Sequence, residues 1–299
     1  MKNIPVLNGK TAIVTGTGGI GYQVAYALAG KGAAVILAGR NAAKGGEAVD
    51  KIKADFAEAD VRFELLDLAD SGSIEAFSGK MLSALPALDI LMDIAGVMMP
   101  DALQATTDGV EMQFGVNYLG HFALTARLFP LLEKGTDPRV VTISSLANRP
   151  FVFDLADATA AHGYHASRSY ALSKLACLMF ALELEQRSRE NGWGVSAFGA
   201  HPGLAKTQLF NRSHGFIMTL LQVIFFVLPF IRQSASNAAR PALFAATSPG
   251  AKPGGFYGPW FLGVMGPPRL ALVPGRARSK KKREALWALS EKLTGVTFP

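Results

Sequence analysis

Thr11-Ala-Ile-Val-Thr15 runs directly into Gly16-Thr-Gly-Gly-Ile-Gly21, and this junction decides the fold. A short β-rich run that ends in glycines and opens a helix has the form of a phosphate cradle. Its backbone N–H groups and the positive end of the helix face an anion, and side chains would block the approach. Gly16, Gly18 and Gly21 satisfy the G-x-G-x-x-G spacing. Alone such a turn is weak evidence. After the first strand of an alternating pattern, it predicts that Gly16, Thr17, Gly18, Gly19, Ile20 and Gly21 hold a dinucleotide pyrophosphate.

The alternation continues outward from that turn. Residues 20–30 have helical composition, and the next strand is expected at 34–38. Helices near 42–57, 73–85, 109–132 and 167–190 then alternate with strands at 61–66, 88–93, 139–143 and 194–199, completing six strand-and-helix units. The strands read as continuous apolar runs, the pattern of a parallel sheet covered by helices on both faces. Right-handed crossovers then require a doubly wound, Rossmann-type three-layer α/β/α architecture. Nothing before residue 200 reads as a linker, a repeat or a low-complexity tract. Beyond it proline and glycine punctuate the chain, especially over 249–274. The expectation is one nucleotide-binding domain over residues 1–299, with a substrate lid near 204–235 and an elaboration over 249–299.

Composition narrows the function classes. Of 299 residues, 49% are hydrophobic and 18% charged, which argues against extended disorder and allows a sizeable core. Cys177 is the single cysteine, so no internal disulfide forms; a buried structural thiol in a reducing compartment is expected. The net charge of +7 is concentrated in Arg276-Ala-Arg-Ser-Lys-Lys-Lys-Arg283. No aromatic residue interleaves with that run, so it reads as a solvated turn before a last helix at 284–293, not as a nucleic-acid site. The first ten residues lack the apolar run of a secretory signal, which leads to the expectation of a cytoplasmic protein. Residues 216–231 are strongly apolar but shorter than the roughly 18–20 residues a spanning helix needs.

The end of the second strand selects the dinucleotide. An acidic residue there would bond the adenine ribose hydroxyls and repel a 2′-phosphate. This chain has Gly39 followed by Arg40, whose guanidinium suits a phosphate dianion, so NADP(H) is expected over NAD(H). Asp67, in Leu65-Leu-Asp-Leu68, is placed to bond the adenine amino group.

Tyr170 and Lys174 carry the chemistry. Four residues apart on a helix, both can point into one cleft. An unperturbed phenol has a pKa of about 10, and bringing it near neutrality takes about 4 kcal/mol. An ammonium within about 4 Å, at an effective dielectric near 20, supplies a comparable amount. Lys174 is thereby expected to make Tyr170 a proton donor, with an oxidised nicotinamide adding a second positive charge.

At this point the chain resembles the short-chain dehydrogenase/reductase family, and within it the retinol dehydrogenase-like branch. The resemblance rests on Thr15–Gly21, Leu37-Ala-Gly-Arg40, Phe114-Gly-Val-Asn-Tyr-Leu-Gly-His-Phe122, Val141-Thr-Ile-Ser-Ser145, Tyr170–Lys174 and His201-Pro-Gly203, spread over nearly the full length. It implies that Tyr170 exchanges a proton with the substrate oxygen while Lys174 lowers its pKa and holds the nicotinamide ribose. It implies further that Ser145 bonds the carbonyl while Ser144 faces elsewhere, and that Asn117 anchors the water linking Lys174 to solvent. Ala95 and Gly96 would line the dinucleotide, as would Leu68. Pro202, Gly203 and Leu204 would pass the nicotinamide, and Thr207 would bond its carboxamide. Hydride would leave the pro-S face.

Two departures stand out. The glycine turn is one residue shorter than the family's, with only Thr17 and Gly18 between Gly16 and Gly19. The family's Asn-Asn-Ala-Gly segment reads Asp93-Ile-Ala-Gly96, so the side-chain bonds of two asparagines are expected to be lost. The insert at 148–167 resembles that of the retinol dehydrogenase-like branch and should shape the substrate mouth, with its His162 and His165 as surface residues.

The apolar stripe at 216–231 points to a bulky hydrophobic ketone or aldehyde and its alcohol, with membrane-surface docking as a second reading. Two other classes stay open. A carbon–carbon double-bond reductase would use the same Tyr/Lys pair, and a non-catalytic nucleotide-binding protein could keep the fold. Family habit suggests a homodimer or homotetramer built on the helices near 109 and 167.

Overall fold

The computed structural model describes residues 4–148, 163–203 and 233–299. Eight strands form one sheet in the order β3-β2-β1-β4-β5-β6-β7-β8. β1 (Thr11–Thr15), β2 (Ala34–Gly39), β3 (Val61–Leu65), β4 (Ile90–Asp93), β5 (Arg139–Ile143) and β6 (Ser196–Ala200) are the six expected from sequence. They pair in parallel, with Ile13 opposite both Ile36 and Leu91. Strand order reverses between β1 and β4, so a crevice opens there at the carboxyl ends of the strands.

The helices are α1 (Gly19–Ala29), α2 (Ala42–Asp55), α3 (Ser71–Ala84), α4 (Met112–Phe114), α5 (Gly120–Leu132), α6 (Ala166–Asn191), α7 (Ala235–Thr247), α8 (Gly275–Arg278) and α9 (Lys280–Thr294). Two cores sandwich the sheet. One joins Phe77, Phe122, Phe180 and Trp287 under α3, α5, α6 and α9. The other joins Val24, Ile52 and Ala242 under α1, α2 and α7. This is the Rossmann-type three-layer arrangement that the continuous apolar strands demand.

Three features differ from the sequence expectation. The helix expected from residue 109 starts at Met112, because Gly109 takes a positive φ of 77° and the Glu111 carboxylate caps the turn by accepting from the Phe114 N–H at 2.8 Å. A π-helical turn, Gly115–Leu119, then interrupts it before α5.

The proline- and glycine-rich C-terminal third contains two further strands, β7 (Phe256–Phe261) and β8 (Met265–Leu270). β7 continues the parallel sheet, and β8 folds back antiparallel at its edge. Pro267 and Pro268 are tolerated in β8 because an edge strand need not donate on both sides.

The basic run 276–283 is helical instead of a solvated turn: it spans α8 and the start of α9. Arg283 is buried and bonds the Glu183 carboxylate at 3.1 Å. Among the described residues, no helix is long and apolar enough to cross a membrane.

Candidate active site

The glycine turn sits at the carboxyl end of β1. Gly16 and Gly19 adopt φ values of 95° and 52°, a region that L side chains rarely enter. A Cβ on Gly21 would lie 2.1 Å from the Gly16 carbonyl oxygen, so the first turn of α1 packs directly against the loop. Nothing lies within 4 Å of a Cβ added to Gly18 or Gly19, so the loop leaves open space in front of the helix. No side chain caps α1, whose first N–H groups therefore suit an anion. Ile20 anchors the turn into the core, and Thr17 lies against Gly39 at the end of β2. Arg40 follows, exposed and without an ion pair among the described residues. These features fit a dinucleotide phosphate.

Asp67 lies beyond β3, where one carboxylate oxygen accepts from the Ala69 N–H at 2.9 Å. Leu68 is buried in the core, its carbonyl facing Gly120. Ala95 packs against Gly16. At Gly96 a Cβ would come within 2.8 Å of Asn117 Oδ1 and 3.6 Å of Lys174 Nζ, so only glycine fits there.

Tyr170 and Lys174 stand on the N-terminal half of α6. Ser145, just past β5, has its hydroxyl near enough to the Tyr170 phenol to lower that phenol's pKa. Lys174 is buried, and its Nζ donates to the Ile143 carbonyl at 3.0 Å. Ser144 donates to the Lys174 carbonyl at 2.6 Å, turned away from the phenol as expected. The structure thus brings Gly96, Asn117 and Lys174 together, with Tyr170 one turn away on α6 and Ser145 beside it. Pro202 and Gly203 follow β6, with Gly203 at φ 72° against the β7–β8 hairpin. Leu204, Thr207, His162 and the stretch 216–231 lie outside the described residues.

The electrostatics correct one expectation. Desolvation pushes the Tyr170 phenol up to about 12, opposed by the nearby Ser145 hydroxyl. Burial also holds the Lys174 ammonium below its ordinary range. The lysine therefore does not, within the chain alone, bring the phenol toward neutrality. Desolvation outweighs the attraction between the two groups.

Asn117 is more heavily engaged than an anchor for one water. Its side-chain oxygen accepts from the Val97 N–H at 2.7 Å, while its amide donates to the Val97 carbonyl and to Ser173. Its backbone carbonyl accepts from His121 Nδ1 and from the Cys177 thiol. Cys177 is buried and its thiol is pushed up to about 11 by that burial, so it is the structural residue expected.

Sequence reading missed His121 and Thr15 as members of this neighbourhood. The four-residue spacing of Asn117 and His121 carried the signal. Asp93 also departs from expectation. It keeps one bond, accepting from Thr125 Oγ1 at 3.2 Å, although its position has lost the asparagine amide.

Known proteins resemble the chain in sequence and fold. Residues 10–215 match the family described as short chain dehydrogenase. Retinol dehydrogenase 12 of Mus musculus is 37% identical over 291 residues, covering 97% of this chain and 88% of that protein. Retinol dehydrogenase 13 of Homo sapiens is 36% identical over 297 residues, covering 97% and 86%. The crystal structure of an uncharacterized protein from Mycobacterium paratuberculosis superposes with a TM-score of 0.81 at 34% identity, covering 100% of this chain and 98% of that one. With its fold, its glycine turn and its relatives agreeing, the chain belongs to the short-chain dehydrogenase/reductase family, in the retinol dehydrogenase-like branch.

Proposed function

We propose that the protein is an NADP(H)-dependent oxidoreductase that interconverts a hydrophobic ketone or aldehyde and its alcohol. The observation that carries this is the approach of Ser145 to a half-buried Tyr170 phenol, one helical turn from a buried Lys174. The dinucleotide, when bound, supplies the hydride and, oxidised, a positive charge near the phenol. Gly16, Thr17, Gly18, Gly19, Ile20 and Gly21 would hold its pyrophosphate, Arg40 a 2′-phosphate, and Asp67, Leu68, Ala95 and Gly96 the adenosine and nicotinamide halves. Pro202, Gly203, Leu204 and Thr207 would line the nicotinamide end.

Tyr170 is the proton donor. A phenol held at about 12 stays protonated at neutral pH, which suits protonation of a carbonyl oxygen during reduction. Ser145 orients that oxygen by a hydrogen bond, and Lys174 orients ribose hydroxyls and compensates the phenolate left after transfer. In the oxidative direction Tyr170 must first lose its proton, so alcohol oxidation should accelerate as pH rises.

The two relatives are named for retinol, itself a hydrophobic alcohol. That name and the apolar stretch 216–231 support a lipophilic substrate. Consumption of NADPH and NADH across hydrophobic aldehydes, ketones and enones tests the assignment. Alcohol products with NADPH preferred are expected. Saturated ketones from the enones would identify a double-bond reductase instead, and a preference for NADH would remove the role given to Arg40.

A further inference from the structure

Behind the cleft, one chain of hydrogen bonds joins the nucleotide turn to the Asn117 turn. Thr15, the last residue of β1, accepts from the backbone N–H groups of Ile94 at 2.8 Å and Ala95 at 3.0 Å. Its hydroxyl therefore has one hydrogen to give. His121 Nε2 lies 2.9 Å away, and the Met92 carbonyl at 3.2 Å. The other ring nitrogen, Nδ1, lies 3.0 Å from the Asn117 carbonyl, which can only accept. Nδ1 must then carry the ring hydrogen, leaving Nε2 bare to accept from Thr15. The Thr15 hydrogen has two acceptors within reach, His121 Nε2 at 2.9 Å and the Met92 carbonyl at 3.2 Å, and the shorter contact favours the ring.

The surroundings keep His121 uncharged. It is buried in the core, with the Lys174 charge acting on it from α6 and the Cys177 thiol sharing the Asn117 carbonyl with it. Burial lowers its imidazole to about 4, and the Lys174 charge adds to that effect. A neutral imidazole with one fixed tautomer acts as a strut and not as an acid or base. Its lower end holds a carbonyl inside the π-helical turn, an element common at functional sites. That turn also presents the Asn117 side chain to Val97 and to the Gly96–Lys174 approach.

We propose that His121 is a positioning residue, which as a neutral Nδ1–H tautomer fixes the Asn117 turn beside Lys174 to Thr15 at the root of the phosphate loop. The role rests on Tyr170 and Lys174 being the proton-transfer pair. Its tautomer, however, can be read without any turnover.

Long-range 1H–15N spectra of the full chain are expected to show a protonated Nδ1 and a bare Nε2 for His121, without titration between about pH 6 and 9. A charged ring, or hydrogen on Nε2, would overturn the proposal whether or not the protein proves to be an enzyme. Kinetics supply the second arm. His121→Phe keeps a ring without either bond, and should lower kcat about tenfold or more while the Kd for NADPH changes less than about threefold. His121→Asn, whose amide can still donate to the Asn117 carbonyl, should recover most of that loss. Equal kcat in all three proteins, or failure of Asn to outperform Phe, would reduce His121 to core packing. Should the Phe variant not fold, the spectra and the Asn variant decide the matter.

Discussion

Asp93 occupies the position where the family resemblance leads one to expect asparagine, and it does so buried at the end of β4. One carboxylate oxygen accepts from Thr125, and the other is buried without a hydrogen-bond partner among the described residues. Desolvation therefore raises its pKa well above the ordinary carboxylate range, so the folded chain favours the protonated form. The sign follows from linkage. The group contributes full stability below its unfolded pKa, and that contribution is lost as pH rises toward the folded value. Asp93→Asn carries no such charge, so its melting temperature should exceed the parent's by a margin that widens to about 2–4 °C from pH 5 to pH 8. Parallel pH profiles for the two proteins would contradict the assignment. At this scale the sequence was informative where spacing fixes geometry: Tyr170 with Lys174, and Gly96 beside Asn117. The spacing of Asn117 and His121 was legible, but the bond from His121 to Thr15 was not, because it crosses more than a hundred positions and no local pattern encodes it.

The π-helical turn and the β7–β8 hairpin are the two elements whose form the sequence did not announce. A π-turn keeps helical composition throughout, so apolar periodicity merges Gly115–Leu119 with its neighbours. The hairpin was hidden by its prolines and glycines. Its turn is unusual in a second way. Leu262 and Gly263 take φ values of 50° and 72°, with the Val264 N–H bonded to the Phe261 carbonyl at 2.8 Å. Two consecutive positive φ angles suit asparagine followed by glycine, whereas leucine is strained there and here is 78% exposed. Leu262→Asn should therefore stabilise the chain by about 0.5–1 kcal/mol in urea unfolding. A loss of stability would mean that the leucine side chain makes a contact outweighing its backbone strain.

Across the whole molecule, the C-terminal helix α9 does more than finish the chain. Trp287 and Phe298 join Phe122 and Phe180 in a cluster of edge-on and tilted rings against α5 and α6. Tyr118, from the π-turn, shares a 2.6 Å hydrogen bond with Ser290. Part of the surface on the helices expected to meet a partner subunit is thus covered by the chain itself, and an oligomer would have to use what remains. The buried Arg283–Glu183 bond fixes α9 in place, with Arg187 also on Glu183 at 3.0 Å. Arg283→Met should cost about 3 kcal/mol, at the lower end for a broken buried pair because Arg187 stays. A change below about 1 kcal/mol in denaturant unfolding would show that packing alone holds the helix. The six-unit sheet was legible from residue 11 onward because buried parallel strands and amphipathic helices impose distinct periods. The docking of α9 was not, since a basic run reads as solvated until its one buried arginine finds a carboxylate a hundred residues away.

The claim on which the rest depends is that Tyr170 passes a proton within an intact dinucleotide site. Tyr170→Phe removes one oxygen and leaves the ring. With a hydrophobic aldehyde and NADPH, kcat should fall by about 100-fold or more, while NADPH titrated against protein fluorescence binds within about threefold of the parent. Reduction at an undiminished rate would contradict the account.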